Sequence, residues 1–199
     1  MKISIGLMFS GLFLCSPCSY AKEGEFVKSS GDQVYLGADA VVANQVDVSF
    51  DGDSVDESAD MGFNVLVGYE FNTHPLVKTS VEAEYRQFGD VNNTGEYTVD
   101  GDAFFLNLKT KLFVLYDFGN LYLAPMVGVG KVSMDVVGNG VSLSESHTGY
   151  QAGVEVGTRL SQGVDLHAGY TAAYTSIPQG GDDINIKLSG AYIGIRYAF

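Results

Sequence analysis

The chain has only two cysteines among its 199 residues, Cys15 and Cys18, and both lie near its start. Residues 1–21 have the pattern of a secretory signal peptide, with Lys2 before an apolar stretch and small residues near its end. Cleavage after this segment would leave residues 22–199 as the exported domain, without a thiol. We therefore expect hydrogen bonding and packing to hold the fold together, although disulfides could form in an oxidising compartment.

The cysteines have a second interpretation, because Cys15 could be the lipid attachment site of a lipoprotein. The sequence Leu12-Phe13-Leu14 precedes it. Lipidation motifs place a small residue directly before the cysteine, whereas Leu14 is bulky. The cleaved signal peptide is therefore favoured, and lipidation stays the alternative.

Long apolar runs are also missing. The apolar stretch over residues 3–14 is twelve residues long, and a helix needs roughly 20 to span a bilayer. No later stretch is longer or as uniformly apolar, so the sequence predicts no helical membrane anchor.

Basic residues are scarce, with 11 Lys and Arg against 24 Asp and Glu, a formal net charge of −13. Affinity for nucleic acid depends on neutralising phosphates with Lys and Arg. The charge therefore argues against a nucleic-acid partner. A chain of this length is expected to form one domain.

Alternation of apolar and polar residues is what the sequence has in abundance. Eight segments repeat it with a period of two, which is typical of β-strands. They are residues 34–42, 61–71, 79–86, 104–112, 121–130, 150–160, 164–174 and about 184–199. An export signal, an even strand count and alternately short and long connections together predict an all-β fold, an eight-stranded antiparallel up-and-down transmembrane β-barrel.

The connections between these segments predict an orientation. The short ones, 72–77, 116–120 and 161–163, are expected to be periplasmic turns, and the long ones are expected to be extracellular loops. The predicted loops are 43–60, 89–101, 133–146 and 175–183. Pro125 falls inside the fifth segment, where we expect a β-bulge because proline cannot donate to a ladder.

Aromatic residues are expected to form a girdle at the periplasmic rim. The candidates are Tyr69, Phe71, Tyr116, Phe118, Tyr122, Tyr197 and Phe199.

Charged residues within the segments fall on the face opposite the apolar one. A lysine or arginine facing lipid at mid-bilayer costs about 2–4 kcal/mol, and an eight-stranded barrel holds only its own side chains. The sequence therefore predicts a paired charge network in a packed lumen. Its cations are Arg86, Lys109, Lys111, Arg159 and Arg196, and its carboxylates are Asp39, Glu70, Glu82, Glu84, Glu155 and Asp165.

The chain closes with Gly194-Ile195-Arg196-Tyr197-Ala198-Phe199, and Gly149 to Val154 reads Gly-Tyr-Gln-Ala-Gly-Val. In these segments it resembles the eight-stranded outer-membrane barrels that include the OmpA transmembrane domain and opacity-type surface antigens. The resemblance implies an outer-membrane location in a Gram-negative bacterium. It also implies that Gly194, Tyr197 and Phe199 form the signal read by the barrel-assembly machinery. The peptidoglycan-binding domain of OmpA is not expected here.

A metal site has one weak candidate, the acidic residues Asp51, Asp53, Asp56 and Glu57 of the first long loop. The EF-hand pattern is not met, because position twelve from Asp51 is Gly62 and not a glutamate. Calcium binding, weak divalent association near lipopolysaccharide and a simply solvated loop stay open. No cofactor is expected.

Catalysis has one weak candidate too, Ser144 and Ser146 beside His147. Neighbouring residues on an extended strand point to opposite faces, so we expect no enzyme, and a lipid-modifying barrel is a remote alternative. The favoured function is a surface protein with a structural or adhesion-like role. Its acidic loops would contact a host or surface ligand, and its barrel would contact membrane lipid and lipopolysaccharide. A narrow channel for ions or small solutes is the alternative.

Overall fold

The computed structural model describes residues 31–50, 53–93, 97–115, 120–138, 141–161, 163–179 and 182–199, which form nine β-strands. The proposed signal peptide, residues 1–21, lies outside the described residues. The strands are β1 (Gln33–Phe50), β2 (Asp53–Ala59), β3 (Gly62–His74), β4 (Val77–Asn93), β5 (Tyr97–Leu115), β6 (Leu121–Gly138), β7 (Val141–Ser161), β8 (Val164–Gln179) and β9 (Asp182–Ala198). In the described part of the chain, no helix is long and apolar enough to cross a membrane.

The sheet closes on itself, because β1 pairs with β3 on one side and antiparallel with β9 on the other. Strands β2 and β3 are two parts of one barrel strand. Both pair with β1 in one continuous register, with Val41 opposite Gly62 and Asn44 opposite Ala59. The strand is broken only at Asp60 and Met61. The fold is thus an eight-stranded antiparallel up-and-down barrel, as the alternation predicts.

The predicted long loops are largely strand, which corrects the sequence analysis. Residues 43–60 fall in β1 and β2, 89–101 in β4 and β5, 133–146 in β6 and β7, and 175–183 in β8 and β9. The outward apolar residues stop at the edge of the membrane, but the backbone hydrogen bonds between the strands continue beyond it. Each pair of strands therefore extends as a hairpin. We call this end of the barrel upper and the end with the short turns lower.

The predicted bulge at Pro125 is wrong. Pro125 lies opposite Val154 in an unbroken ladder with β7. On its other side, the register with β5 is the same before and after it, with Lys109 opposite Met126 and Leu112 opposite Leu123. The side chain points outward, so the strand accommodates the missing N–H without inserting a residue.

The outward-facing side chains form an apolar band around the barrel. Ten of the aliphatic ones have between 44 % and 59 % of their surface exposed: Val65, Val67, Leu106, Leu108, Val127, Val129, Val154, Val156, Ile193 and Ile195. Soluble proteins rarely expose a contiguous apolar surface of more than a few hundred Å². The band is therefore the surface that faces the hydrocarbon core of a membrane.

Aromatic residues border this band at both ends. At the lower end, the ring centroids of Tyr69 and Phe71 lie 4.9 Å apart and those of Tyr197 and Phe199 lie 5.0 Å apart. Tyr122, which was expected in this rim, is fully buried inside the barrel because its position shares the inward parity of its strand. Tyr116 and Phe118 lie outside the described residues.

At the upper border of the band, outward aromatic side chains lie opposite one another on two pairs of neighbouring strands. Tyr85 lies opposite Phe104, and Tyr150 lies opposite Tyr174. Tyr and Phe rings at both edges of an apolar band mark the two membrane–water interfaces.

Candidate functional site in the barrel lumen

The lumen contains equal numbers of buried positive and negative groups. The carboxylates are Asp39, Glu70, Glu82, Glu84, Glu155 and Asp165, and the cations are Lys78, Arg86, Lys109, Lys111, Arg159 and Arg196. Charges removed from water are tolerated when they are paired and hydrogen-bonded. These twelve side chains divide along the barrel axis into three clusters.

The lower cluster lies near the short turns and consists of Glu70, Lys78, Lys111, Arg159 and Asp165. The Lys111 ammonium lies 2.8 Å from a carboxylate oxygen of both Glu70 and Asp165. Arg159 donates from Nε to Asp165 over 2.7 Å and lies 3.3 Å from Glu70. Each carboxylate is thus shared by two or more cations from different strands, which ties β3, β5, β7 and β8 together across the lumen.

The central cluster is built around Glu155 and consists of Tyr35, Glu82, Lys109, Tyr122, Glu155, Tyr192 and Arg196. Glu155 accepts two hydrogen bonds from the guanidinium of Arg196, at 2.5 and 2.6 Å, and one from Lys109 at 3.0 Å. Tyr122 and Tyr192 also donate to it, at 3.2 and 3.0 Å. A bidentate pair with Arg is among the strongest hydrogen-bond arrangements in proteins.

Glu82 is the second carboxylate of the central cluster. Lys109 lies 3.0 Å from it, so this lysine connects Glu82 with Glu155. The hydroxyl of Tyr35 donates to Glu82 over 2.5 Å. Six strands, β1, β4, β5, β6, β7 and β9, therefore meet at two carboxylates, and every member of the cluster is buried.

The upper cluster contains Asp39, Asn64, Glu84, Arg86, Asn107, Gln151, His167 and Thr171. Arg86 donates to Glu84 over 2.6 Å and to Thr171 over 2.8 Å. Glu84 also accepts from Asn107 and Gln151, at 2.6 and 3.0 Å. The cation that neutralises Glu84 is thus an arginine two residues further along the same strand.

Asp39 and His167 join the upper cluster to β1 and β8. His167 Nε2 lies 2.7 Å from Asp39, and Asn64 donates to the other oxygen of that carboxylate over 3.2 Å. The second ring nitrogen of His167 is buried and has no hydrogen-bond partner. Both groups of the pair are buried in the barrel interior, away from the upper hairpins.

Inward-facing glycines make room for these bulky side chains. A Cβ added at Gly169 would lie 2.5 Å from the Tyr192 ring and 2.7 Å from a backbone oxygen of Val154. Gly157 receives the ring of Tyr122 in the same way. Each tyrosine therefore lies flat over the neighbouring strand, and its hydroxyl reaches Glu155.

The packed network leaves almost no free volume. A void among the charged residues, bordered by Glu82, Lys109 and Arg196 among others, measures ≈ 10 Å³. This is about the smallest space that holds a water molecule. The charged part of the lumen is filled by its own side chains.

Above the charged clusters the interior becomes apolar. This upper apolar layer consists of Phe88, Ala103, Phe105, Val132, Ala173, Ile186 and Leu188, which pack against one another, with Val46, Met134, Ile177 and Ile184 partly buried against them. Arg86 lies 5.9 Å from the ring of Phe88, where the two layers meet. The lumen is thus closed twice, by charge pairs below and by an apolar layer above.

Several of these residues are absent from the sequence-based network. Lys78 has the same parity as Glu82 and Arg86 in β4, and Tyr35 has the parity of Asp39, so alternation could have found both. Of the residues packed against the upper apolar layer, Val46, Met134 and Ile177 fall in predicted loops, where alternation gives no signal.

The candidate catalytic residues do not converge. His147 lies 3.1 Å from Glu145 on the inner face of β7, whereas Ser146 points to the outer face, with its hydroxyl 3.4 Å from that of Ser133. A nucleophile and its base need hydrogen-bond contact, and Ser146 and His147 lie on opposite faces. The side chain of Ser144 lies outside the described part of the structure.

The candidate metal ligands Asp51, Asp53, Asp56 and Glu57 have side chains outside the described part of the structure. Among the residues described, no group of three or more His, Cys, Asp or Glu side chains is arranged to hold a metal ion.

The proposed assembly signal lies on β9, which closes the barrel against β1, and on Phe199 directly after it. Gly194 lies opposite Asp39, where an added Cβ would overlap the carboxylate. Tyr197 and Phe199 point outward into the lower aromatic border, with 51 % and 71 % of their surface exposed. The aromatic residues are therefore at the membrane surface, in contact with few other side chains.

Residues 12–199 match the family described as "Outer membrane protein beta-barrel domain". The chain belongs to this family. The outer-membrane barrel is also similar to two solved structures, with a TM-score of 0.55 in each case. One is Ail, the attachment invasion locus protein of Yersinia pestis, at 15 % identity, and the other is neisserial surface protein A, at 16 %. Each match covers 85 % of this chain and 99 % of the other. No curated protein matches the sequence.

These findings place the protein in the outer membrane of a Gram-negative bacterium. The likeness to the solved structures is one of fold, because the identities are low. With the location known, the short turns face the periplasm and the upper hairpins face the exterior.

Proposed function

We propose that this outer-membrane barrel is a surface interaction protein that displays acidic hairpins on a closed, rigid scaffold. The observation that carries the proposal is the charge of the four upper segments 43–60, 89–101, 133–146 and 175–183. Together they contain thirteen Asp and Glu and no Lys or Arg. Such a surface attracts a positively charged partner and repels polyanions.

The strands support this display. Strand β7 has 21 residues, although about 9–11 are enough to cross the membrane. The eight or nine residues above Tyr150 extend roughly 30 Å along the strand. The hairpins therefore hold their acidic residues away from the lipid surface on hydrogen-bonded strands.

The closed lumen favours display over transport. In the described part of the chain, the void among the charged clusters is only ≈ 10 Å³, and the upper apolar layer covers these clusters. No observation here favours the channel alternative. The separation of Ser146 from His147 likewise supports a non-enzymatic role, and the remote lipid-modifying alternative gains no support.

Two further partners belong to this proposal. Outer-membrane lipid and lipopolysaccharide contact the apolar band and its aromatic borders. The barrel-assembly machinery would read Gly194, Tyr197 and Phe199 on the closing strand.

The test compares a strain that lacks the protein with strains that carry the wild type or a charge variant. The variant replaces Asp51, Asp53, Asp56 and Glu57 by the matching amides. We expect deletion to reduce adhesion to host cells and the charge variant to reduce it partly, in proportion to the charge removed. High salt should weaken wild-type adhesion, because exposed charges are screened.

The variant Lys131→Gln tests whether any change of surface charge alters adhesion, because Lys131 is an exposed residue on the outer barrel wall. It should leave adhesion unchanged. Unchanged adhesion and unchanged envelope permeability in the deletion strain would contradict the proposal.

A further inference from the structure

A polar cleft lies on the outer wall of the barrel, away from the lumen. Its volume is ≈ 590 Å³, and its polar lining comes from three neighbouring strands, β1, β8 and β9. The lining includes Gln45, Asp47, Ser49, Tyr174, Asn185 and Lys187. Its size is within the range of pockets that bind small ligands.

The register explains why these side chains share one face. Asp47 lies opposite Lys187, and Ser49 lies opposite Asn185. The alternate residues of β9, Ile186 and Leu188, point inward to the upper apolar layer. In this part of the barrel the outward side chains are therefore polar and the inward ones apolar. A wall that faces lipid would need apolar side chains on the outside.

The cleft begins where the apolar band ends. On β9 the outward residues change from Ile193 to Ser189, Lys187 and Asn185 towards the hairpin. Tyr174, at the upper aromatic border, lies opposite Lys187. The cleft is therefore just outside the hydrocarbon layer, at the depth where the sugars of the outer leaflet begin.

The lining combines hydrogen-bonding groups with little net charge. Lys187 donates to Asp47 over 2.8 Å, so the lining cation is already neutralised by a carboxylate. This hydrogen bond raises the pKa of Lys187 above its ordinary value. Amide and hydroxyl groups of Gln45, Ser49 and Asn185 surround the pair. A polyanion would find no uncompensated positive charge here.

One more feature indicates the shape of a ligand. The Tyr174 ring has 49 % of its surface exposed at the edge of the cleft, and such a ring can stack on an apolar face.

We propose that this cleft binds a sugar unit of an oligosaccharide. A sugar has many hydroxyls that both donate and accept, and it has an apolar ring face that stacks on an aromatic side chain. Those are the groups that the cleft offers. The site is separate from the acidic hairpin tips, and its sugar can come from the core of lipopolysaccharide in the same membrane or from a free glycan outside.

The experiment titrates the whole barrel, held in lipid nanodiscs, with two probes while backbone amide resonances are followed by NMR. One probe is the lipid-free core oligosaccharide released from a rough lipopolysaccharide. The other is lacto-N-tetraose, a neutral glycan unrelated to the bacterial envelope. We expect saturable shifts at Gln45, Ser49 and Asn185 with at least one probe.

The two probes distinguish the sources of the sugar. Binding of the core oligosaccharide alone assigns the cleft to the membrane's own glycolipid, whereas binding of lacto-N-tetraose assigns it to external glycans. Absence of saturable shifts with both probes, or shifts that map elsewhere on the barrel, overturns the proposal.

Matched variants test the lining. Asn185→Ala and Tyr174→Ala should each weaken binding about tenfold or more, because each removes one of the sugar contacts. Tyr150→Ala is the control, since Tyr150 lies opposite Tyr174 and is exposed but does not line the cleft. All three positions are on the exterior, so folding is checked by the heat-dependent gel mobility of each variant. Equal affinity for the Tyr174 and Tyr150 variants would also overturn the proposal.

Discussion

Lys109 illustrates how single residues hold the lumen together. Its ammonium lies 3.0 Å from both Glu82 and Glu155, and the residue is 1 % exposed. Removing one member of a buried ion pair leaves the other charge uncompensated, which costs about 3–5 kcal/mol. We expect Lys109→Met to lower the free energy of unfolding by about this amount, measured by urea unfolding from lipid vesicles.

A second substitution should recover part of that loss. In the double variant Lys109→Met, Glu82→Gln, the carboxylate that lost its lysine is neutral as well. The two effects should therefore be less than additive, as is usual for residues in direct contact. Additive effects would mean that Lys109 and Glu82 do not interact in the membrane. Lys187→Gln, at an exposed pair on the outer wall, is the control and should change the stability little.

Glycine at position 169 is required by the approach of Tyr192. An added methyl group would lie 2.5 Å from the tyrosine ring, and the backbone oxygen of Val154 on the other side limits any shift. Gly169→Ala should lower the free energy of unfolding by about 1–3 kcal/mol, the usual cost of overpacking. At Gly101 the nearest atoms are 3.5 Å from an added Cβ, so Gly101→Ala should be close to neutral. Equal urea midpoints for both variants would contradict this explanation.

At the end of the closing strand β9, we expect a residue that is needed for assembly in the cell but contributes little to the stability of the folded barrel. Phe199 is 71 % exposed, so its ring adds little to the stability of the finished barrel. Phe199→Ala should therefore fold normally in detergent, as judged by heat-dependent gel mobility, but should accumulate less in the outer membrane of cells.

The control for this prediction is Phe71→Ala, because Phe71 is another exposed ring in the lower aromatic border. It lies outside the closing strand and should leave the amount of protein in the outer membrane unchanged. If both variants accumulate normally, Phe199 is not part of an assembly signal.

The strands also show how far the sequence alone can go. Alternation is sufficient to place Glu82, Glu155 and Arg196 on the inner face, because a charge on the lipid face would be costly. It does not say which charges meet, since partners such as Lys111 and Asp165 are brought together by the curvature of the sheet and the shear of the barrel. Glu84 and Arg86, by contrast, lie two residues apart on the same face of β4, so alternation alone makes them neighbours.

Strand ends were less predictable than strand faces. The upper parts of β1, β2, β4 and β5 have many polar residues, which made them look like loops. Backbone hydrogen bonds continue there without an apolar face, for example from Asn44 opposite Ala59 to Phe50 opposite Asp53. Val46, Met134 and Ile177, which pack against the upper apolar layer, lie in such segments.

For the molecule as a whole, the two layers of the lumen act as barriers in series. The charged clusters fill the lower and central parts, and the upper apolar layer fills the part above them. Ions must pass both, so opening one layer should not produce a conducting path. This arrangement makes the barrel a solid support for its hairpins.

Single-channel recording in a planar bilayer tests this arrangement. The wild type should show no steady conductance. The variant Phe88→Ala, Phe105→Ala, which opens only the upper layer, should also stay silent, because the clusters around Glu84 and Glu155 still fill the lumen below. Conductance is expected only when these substitutions are combined with Lys109→Ala, which loosens the central cluster as well. Steady conductance of the wild type, or of the Phe88→Ala, Phe105→Ala variant, would show that the charged clusters admit ions, and would make the narrow channel the better explanation of the fold.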